Sequence, residues 1–366
     1  MKQKNIRKIA GMLASMTAII VLLSILPSSM TVGQSFEERR QAILDKTKNT
    51  QADLEAMRKQ ILDKNLEFQV KITEAMKHKM EEITGLVPPS RRELEREAKR
   101  KAAEEKRRQE EERRKEREMA KKDEADPEKK EFEEEQKKKE EGNSVLAQCS
   151  AGANSFNWRD AGYMTPVRNQ LGCGSCWAFT AAAAFEGNFY IMNKESSDTS
   201  EQSMLECTGA GSCNGGWYAG VFDYMRNVSI PTESDNPYKA KQGVCKVASS
   251  TPYMTVSSGY VITQSRLPST TEIKNALCKY GPLASTLKVT PLFQAYAGGV
   301  YNEKASLKGP SDVNHGIVIA GWDDSKGAYL IKNSWSKDWG EDGYAWVGYK
   351  SINVGYGSMW VMSKTK

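Results

Sequence analysis

The chain has 366 residues, with 53 Lys and Arg against 47 Asp and Glu, which gives a net charge of +6. Residues 34–142 contain equal numbers of basic and acidic side chains, so no long segment has the one-sided positive charge of a nucleic-acid-binding surface. All seven cysteines lie at or after Cys149. This distribution predicts one disulfide-bearing domain in the C-terminal part, an oxidising compartment and at least one unpaired thiol.

Residues 1–33 have the pattern of a secretory leader. Four basic residues precede an uncharged run from Ile9 to Leu26, and Pro27 and several small residues follow it. The run of 18 residues is at the short limit for spanning a bilayer, so an uncleaved signal anchor is the alternative. Both interpretations place the rest of the chain outside the cytosol, in a secreted or lysosome- or vacuole-like location. Membrane attachment is expected only if the leader is retained.

Residues 34–89 are predicted to form a helical region, with the helix covering residues 36–86. Apolar side chains recur there at spacings of three, four and seven residues: Leu54, Met57, Ile61, Phe68, Ile72, Met76, Met80 and Ile83. This spacing gives an apolar stripe on an otherwise charged helix, which usually serves as a packing surface. Gly85 and Pro88-Pro89 are expected to end the helix, and His78 is expected to be solvated on it.

Residues 90–149 are predicted to be a charged helical spacer. From Arg91 to Lys122 the sequence is almost entirely Glu, Lys, Arg and Ala, and it lacks an apolar stripe. Opposite charges four residues apart each stabilise an isolated helix by about 0.2–0.5 kcal/mol, which favours one extended helix. Because such a sequence has nothing with which to build a core, we expect this helix to be solvated.

The composition changes abruptly after Glu141, the domain boundary is placed between about 143 and 152, and residues 150–366 are predicted to be one folded domain. Ser175–Met192 has the pattern of an apolar helix. Several later stretches have the pattern of strands, namely Tyr253–Thr263, Asn314–Trp322, Ala328–Lys332 and Tyr344–Tyr349. Helices first and strands later predict an α+β domain with two lobes.

Cys176 is predicted to stand where the apolar helix begins. The positive end of the helix dipole and the unpaired first N–H groups lower the pKa of a thiol at such a place. Taken alone, Cys176 is better interpreted as a small buried residue or half a disulfide than as a reactive thiol. A nucleophilic thiol needs a general base and a group that orients that base, and His315 is the one histidine of the C-terminal domain. Asn333 and Trp335 follow His315 by 18 and 20 residues. An amide such as that of Asn333 can orient the imidazole, and an indole such as that of Trp335 can shield this contact from water.

At this point the sequence resembles the papain-like cysteine peptidases, over about residues 153–362. The resemblance is carried by motifs in the family's order: Asn157-Trp158-Arg159, Thr165–Gln170, Gly172–Phe179, Ser200–Cys207, Cys213–Gly216, Asn236-Pro237-Tyr238, Gly281-Pro282, Asn314-His315-Gly316, Asn333-Ser334-Trp335 and Trp339–Tyr344. It implies a two-lobed fold with a helical lobe and an antiparallel β-barrel lobe. It does not extend to residues 34–142.

The resemblance also implies catalytic roles. Cys176 is the expected nucleophile and His315 its general base, the two resting as a thiolate–imidazolium pair. Asn333 is expected to orient the imidazole, and Trp335 to shield that contact and take part in binding. The Gln170 side chain, together with the backbone N–H of Cys176, is expected to stabilise the oxyanion that develops on the attacked carbonyl.

Substrate-binding residues are implied in the same way. Gly215 and Gly216 are expected to bind the substrate backbone, because only glycine lets a peptide lie so close. Thr286, with Gly316 opposite, matches a position of the family's main specificity pocket. Asn314 stands where the family commonly has Asp before the histidine, which points to an altered pH dependence rather than to loss of activity.

The family's pairing pattern implies the disulfides Cys173–Cys213 and Cys207–Cys245. Cys149 and Cys278 fall outside the family's usual set. Either they pair with each other, tying the spacer to the domain, or they remain separate.

These observations predict a cysteine endopeptidase that is made as a secreted zymogen and acts on peptides and proteins. No cofactor, metal site or nucleic-acid partner is expected. The two neighbouring histidines of the family's dipeptide-removing members are absent, since His315 stands alone in the domain. Residues 34–89 are expected to be the pro-region, with 36–86 inhibiting intramolecularly and 90–141 tethering. The alternative is a catalytically silent relative that serves as a scaffold or adhesion protein through its long charged helix.

Overall fold

A computed structural model describes residues 36–123, 145–246, 251–262 and 266–363. The chain divides into two compact units, residues 1–60 and residues 61–366. The expected leader, residues 1–33, lies outside the described residues. Within the described ranges, no helix combines the length and the apolar composition that crossing a membrane requires.

The α-helices α1 to α8 are, in chain order, Phe36–Asp63, Met80–Ile83, Arg91–Asp123, Cys176–Asn193, Glu201–Cys207, Ala219–Tyr224, Thr270–Tyr280 and Pro291–Gln294. The strands β1 to β11 are Phe68–Val70, Ser155–Asn157, Gly211–Ser212, Gly215–Gly216, Thr255–Tyr260, Leu283–Leu287, Tyr296–Tyr301, His315–Asp323, Ala328–Lys332, Tyr344–Gly348 and Met359–Ser363. Two 3₁₀ turns span Glu74–Lys77 and Val145–Gln148.

A mostly antiparallel sheet forms one part of the second unit. Among the described residues its strand order is β1-β7-β10-β9-β8-β6-β11-β5, with β2 paired to β8, and β7 and β10 run parallel. The short strands β3 and β4 form a separate pair. The long strand β8 is buried along nearly all its length because it pairs with β6, β9 and β2. Its first residue, His315, is therefore held by the core of the sheet.

Helix α4 runs through the middle of this unit. It contacts strands β8, β11 and β6 on one side and helices α5 and α6 on the other. Its residues Trp177, Phe185 and Phe189 are fully buried, so the helix is apolar nearly all round, as a central helix must be. The predicted α+β fold, with a helical part and a mostly antiparallel sheet, is confirmed.

The predicted helix over residues 36–86 is wrong beyond Asp63. Asn65 has a left-handed φ of 50°, and the N–H of Leu66 donates to the carbonyl of Ile61 at 2.9 Å, which closes the end of α1. Phe68 and Val70 then alternate inward on β1, which pairs antiparallel with β7. The apolar residues recur as the sequence shows, but those after Asp63 lie on or beside a strand, a 3₁₀ turn and the short helix α2 rather than on one helix face.

His78 follows the 3₁₀ turn Glu74–Lys77 and is not on a helix. Its side chain is only 26% exposed, because it lies against the loop that leads to Cys176: a Cβ at Gly172 would be 3.2 Å from the His78 Nδ1. The expectation of a solvated helix residue is therefore wrong.

Helix α3 is the predicted charged helix, but the prediction of a wholly solvated spacer is wrong. Leu94, Ala98 and Lys101 are each less than 5% exposed, and the helix contacts β5 of the peptidase-like part. Residues 106–118 are mostly exposed, as expected. The second charged run falls largely in residues 124–144, outside the described residues.

Residue 145 lies within the predicted boundary range of 143–152 and already belongs to the folded part. Val145 is buried in the 3₁₀ turn that packs against α7. Cys149 forms a disulfide with Cys278 of α7, so the two cysteines left over from the family pattern do pair. Residues 145–149 thus belong to the same folded part as the residues that follow.

Candidate active site

Cys176 begins the central helix, where the sequence predicts it. The loop that leads to Cys176 packs closely against its neighbours: a Cβ at Gly174 would lie 2.5 Å from the carbonyl oxygen of Cys213 and 2.9 Å from that of Thr84. The Cys176 thiol is free and fully buried. Because the first turn of a helix leaves its N–H groups unpaired, the thiol faces donors that favour its anionic form.

His315 is oriented by Asn333. The His315 Nε2 lies 2.8 Å from the Asn333 Oδ1, and that oxygen also accepts a hydrogen bond from the N–H of Ser334 at 2.8 Å. Since the oxygen is thereby an acceptor, Nε2 carries the ring proton and Nδ1 has a free lone pair. Among the described residues the buried Nδ1 has no hydrogen-bond partner. The Trp335 ring covers the imidazole, with centroids 4.6 Å apart.

Burial favours the neutral forms of Cys176 and His315 in the covered cleft. It raises the pKa of Cys176 to about 12, against the opposing effect of hydrogen bonds with the backbone at Gly316 and Gly85. Burial also lowers the pKa of His315 to about 4, although the Asn333 hydrogen bond raises it. The thiolate–imidazolium pair stays a prediction, for a cleft that water can enter.

The cleft is covered by residues 83–87, which we call the cleft segment. The carbonyl of Ile83 accepts hydrogen bonds from Gln170 Nε2 and from Trp335 Nε1, both at 3.2 Å. The Gln170 Oε1 in turn accepts from the Ser334 hydroxyl at 2.7 Å, which fixes the amide. The two donors meet at one carbonyl oxygen, so the cleft can hold the oxygen of a peptide group at this point.

Gly216 holds the middle of the cleft segment. Its N–H donates to the Gly85 carbonyl at 2.9 Å, and its carbonyl accepts from the N–H of Val87 at 3.0 Å. Leu86 thereby forms a parallel bridge with Gly216. Gly215 has a φ of 126°, and a Cβ there would lie 2.6 Å from the Val87 side chain. Both glycines therefore lie against a peptide backbone, where the resemblance places substrate.

Asn314, Gly316 and Thr286 lie on the other wall. The Asn314 carbonyl accepts from the N–H groups of Gly85 and Leu86 at 3.2 and 3.1 Å, while its side chain accepts from the backbone of a neighbouring loop. Thr286 pairs with Gly316 across β6 and β8 but is fully buried, and its hydroxyl donates to a backbone carbonyl. In this covered state, Thr286 offers no open surface to a ligand.

A model of the family described as papain family cysteine protease matches residues 152–363. The chain belongs to the papain family. The matched range agrees with the range over which the sequence motifs resemble the family.

Relatives of this papain-family chain include digestive cysteine proteinase 3 of Homarus americanus, 35% identical over 207 residues, which are 54% of this chain and 62% of that relative. Procathepsin L of Rattus norvegicus is 34% identical over 202 residues, 52% of this chain and 58% of that protein. The chain spans about six-tenths of the length of these curated relatives.

Solved structures extend the likeness of fold. Digestive procathepsin L 3 of Tenebrio molitor aligns over 91% of this chain and 94% of that one, with a TM-score of 0.64 and 20% identity. Bromelain of Ananas comosus, in complex with the E64 inhibitor, aligns over 58% of this chain and all of that one, with a TM-score of 0.52 and 28% identity. The first likeness covers much of the region before the peptidase domain.

The described residues contain three disulfides, Cys173–Cys213, Cys207–Cys245 and Cys149–Cys278. The first two are the pairs that the resemblance implies. Cys173–Cys213 joins the loop before Cys176 to the β3–β4 hairpin that carries Gly215, so one covalent link holds the nucleophile's loop against the wall formed by Gly215 and Gly216.

Sequence reasoning missed a buried charged cluster behind Asn333. Glu186, Glu201 and Lys332 line the same small cavity as Asn333. Burial lowers the pKa of Lys332 to about 8, although Glu186 opposes this, and burial raises the pKa of both glutamates. Lys332 also donates to the carbonyl of Thr165 at 2.8 Å. A signal was available, because Glu186 is a carboxylate in an otherwise apolar helix.

Proposed function

We propose that this protein is a cysteine endopeptidase of the papain family that is made as an inactive precursor. The arrangement of the Ile83 carbonyl carries the proposal. A peptide oxygen lies between the Gln170 amide and the Trp335 indole, in a cleft that also contains a free thiol and an oriented imidazole. This is the set of groups that acyl transfer from a peptide bond requires.

In the proposed reaction, His315 Nδ1 takes the proton of the Cys176 thiol, and the sulfur attacks a substrate carbonyl carbon. Gln170 and the backbone N–H of Cys176 stabilise the oxyanion as the C=O bond opens. His315 then donates its proton to the leaving amine, and an acyl-enzyme remains on Cys176. Water, deprotonated by His315, hydrolyses that thioester and restores the thiol. Asn333 keeps the ring in the tautomer that this sequence of steps needs.

Substrate is proposed to replace the cleft segment. Gly216 and the Asn314 carbonyl, which now bind the backbone of residues 85–87, would pair with the substrate backbone. The segment therefore acts as an intramolecular inhibitor by holding the groups that substrate needs. The proposed location, secreted or in a lysosome-like compartment, is supported by the composition of residues 1–33 and by the three disulfides.

Labelling and hydrolysis with the processed protein test the activity. An epoxide-type thiol inhibitor is expected to add once, on Cys176, and to abolish hydrolysis of a dipeptidyl-arginyl reporter. The Cys176→Ala variant should neither label nor hydrolyse, and Gln170→Ala should lower kcat about 100- to 1,000-fold. Absence of an adduct on a folded, processed protein would support the silent scaffold instead. Undiminished hydrolysis by Cys176→Ala would reject the assigned nucleophile.

A further inference from the structure

Helix α3 does more than connect the cleft segment to the peptidase domain. It begins only four residues after the segment ends, at a capping box in which the N–H of Ser90 donates to Glu93 at 2.9 Å and the N–H of Glu93 donates to Ser90 at 3.3 Å. Pro88 and Pro89 stiffen the short connection. The start of α3 is thus fixed close to the end of the cleft.

One face of α3 docks on the peptidase domain although the helix lacks an apolar stripe. Residues 94, 97, 98, 101, 104 and 105 recur at the spacing of one helix face, and they combine one leucine, one alanine and charged groups. Leu94 is 4% exposed and belongs to the same apolar cluster as Leu86, Trp217 and Tyr218. The helix therefore continues the core that the cleft segment enters.

The charged side chains on this face of α3 pair with opposite charges on the peptidase domain, in the same order along the helix. Lys101, with 1% of its side chain exposed, donates to Asp223 at 2.6 Å and to the Ser258 hydroxyl at 3.0 Å. Arg100 donates to the other Asp223 oxygen at 3.0 Å. One turn later the sign reverses, and Arg226 of the domain donates to Glu104 at 2.6 Å. A buried lysine that loses its partners is left with unmet hydrogen bonds, so this pairing specifies one register.

A chain of hydrogen bonds joins α3 to the cleft wall. The Tyr260 hydroxyl donates to Glu97 at 2.9 Å and accepts from the Trp217 indole at 3.0 Å. Trp217 directly follows Gly216, whose N–H and carbonyl both form hydrogen bonds with the cleft segment. Glu97 thus acts on the cleft wall through two side chains.

We propose that the first four turns of α3 are a second inhibitory element, which holds the cleft segment in place from its C-terminal end. The proposal rests on the proposed peptidase function. The surface formed by Trp217, Asp223, Arg226, Ser258 and Tyr260 is the binding site of this charged helix. Inhibition then depends on α3 docking as well as on the cleft segment itself.

Residual activity of the unprocessed chain tests the proposal. Hydrolysis of a dipeptidyl-arginyl reporter is followed at pH 7 for the first minutes, and intact mass shows that the chain is uncleaved. Lys101→Met and Leu94→Asp are each expected to raise residual activity at least ten-fold, because each removes a buried anchor of α3. The matched control is Lys106→Met, on the exposed face of the same helix, which should leave it unchanged.

A charge exchange separates docking from a general loss of stability. Glu104→Arg or Arg226→Glu alone is expected to raise residual activity several-fold. The double exchange is expected to bring it part of the way back, because it restores the pair between positions 104 and 226 but not the pair that Glu104 makes with Arg100 at 2.8 Å. If Lys101→Met and Leu94→Asp both leave residual activity unchanged in folded chains, α3 is not inhibitory. An inactive wild-type chain after processing would instead overturn the proposed peptidase function, so the two failures are distinct.

Discussion

Gly85 is the point of closest approach between the cleft segment and the peptidase domain. A Cβ at this position would lie 1.9 Å from the carbonyl oxygen of Gly174, 2.3 Å from its carbon and 2.5 Å from its Cα. All three atoms are backbone, so no side chain can turn away to make room. Real Cβ contacts are essentially never shorter than 3.0 Å, so Gly85→Ala must separate the two backbones by about 1 Å.

That separation breaks the hydrogen bonds that hold the segment. Four join it to Asn314 and Gly216, with donor–acceptor distances of 2.9 to 3.2 Å, and an added 1 Å takes each beyond hydrogen-bonding distance. At about 0.5–1.5 kcal/mol each, the loss is about 2–6 kcal/mol. Because 1.4 kcal/mol corresponds to a factor of ten, the open cleft should become at least about 30-fold more populated.

The population of the open cleft can be measured by the rate at which an epoxide-type thiol inhibitor labels Cys176 in the unprocessed chain. Intact mass spectrometry counts adducts on uncleaved chains alone. We expect Gly85→Ala to label about 30-fold faster or more. Gly152→Ala is the matched control, because a Cβ there meets only the Ser150 hydroxyl, at 3.9 Å. Labelling of Gly85→Ala within two-fold of the wild-type rate, with fast labelling after processing, would refute this account of inhibition.

Three further predictions concern ionisation and the disulfide outside the family pattern. With burial raising the pKa of Cys176 to about 12, the covered thiol should stay neutral, so the ultraviolet thiolate absorbance of the unprocessed chain, taken against Cys176→Ala, should not rise between pH 7 and 9; a rise in that range would contradict a neutral thiol. Burial, with Glu186 nearby, raises the pKa of Glu201, so the ionised carboxylate destabilises the folded protein once the pH rises above the usual pKa of a glutamate. Glu201→Gln should therefore raise the free energy of unfolding at pH 8 by on the order of 1–3 kcal/mol and leave it unchanged near pH 4, as measured by urea titrations. Cys149→Ser should lower the free energy of unfolding by about 2–5 kcal/mol, and adding Cys278→Ser should lower it no further in thermal denaturation, since the pair closes a sequence separation of 129 residues.

The catalytic constellation could be predicted because each member is positioned by its own short motif. Cys176 is placed by a helix start, His315 by the start of a buried strand and Asn333 by the end of the strand beside it. The structure brings His315 and Asn333 to 2.8 Å and places Gln170 beside the same cleft. Their catalytic roles stay predictions that the labelling and hydrolysis experiments test.

The cleft segment could not be predicted in the same way. After Ile83, which ends α2, it forms neither a helix nor a regular strand. The backbone hydrogen bonds of residues 85–87 are made with residues more than 125 positions away in the chain, such as Gly216. Local propensity contains no information on such partners. The sequence pattern predicts Gly85 as a helix terminator, whereas its missing side chain is needed for contact with Gly174. Helix α1 ended early for a local reason, the left-handed Asn65, which a single asparagine in a helical pattern does not reveal.

Helix α3 shows how a helix without an apolar stripe can still bind a specific surface. Its docking face uses few apolar atoms, so burial of Lys101 gains stability only through its hydrogen bonds with Asp223 and Ser258.

The cleft segment is mostly irregular backbone, and its position therefore depends on the elements before and after it in the chain. β1 holds it at one end through the edge of β7, and α3 holds it at the other. With both β1 and α3 attached, a cleft segment that leaves the cleft rebinds intramolecularly. Releasing one of the two attachments lowers the effective concentration of the segment at the cleft, while the other attachment still keeps the segment nearby. Separation of the chain between α3 and the peptidase domain would by this reasoning leave the cleft covered until α3 itself dissociates.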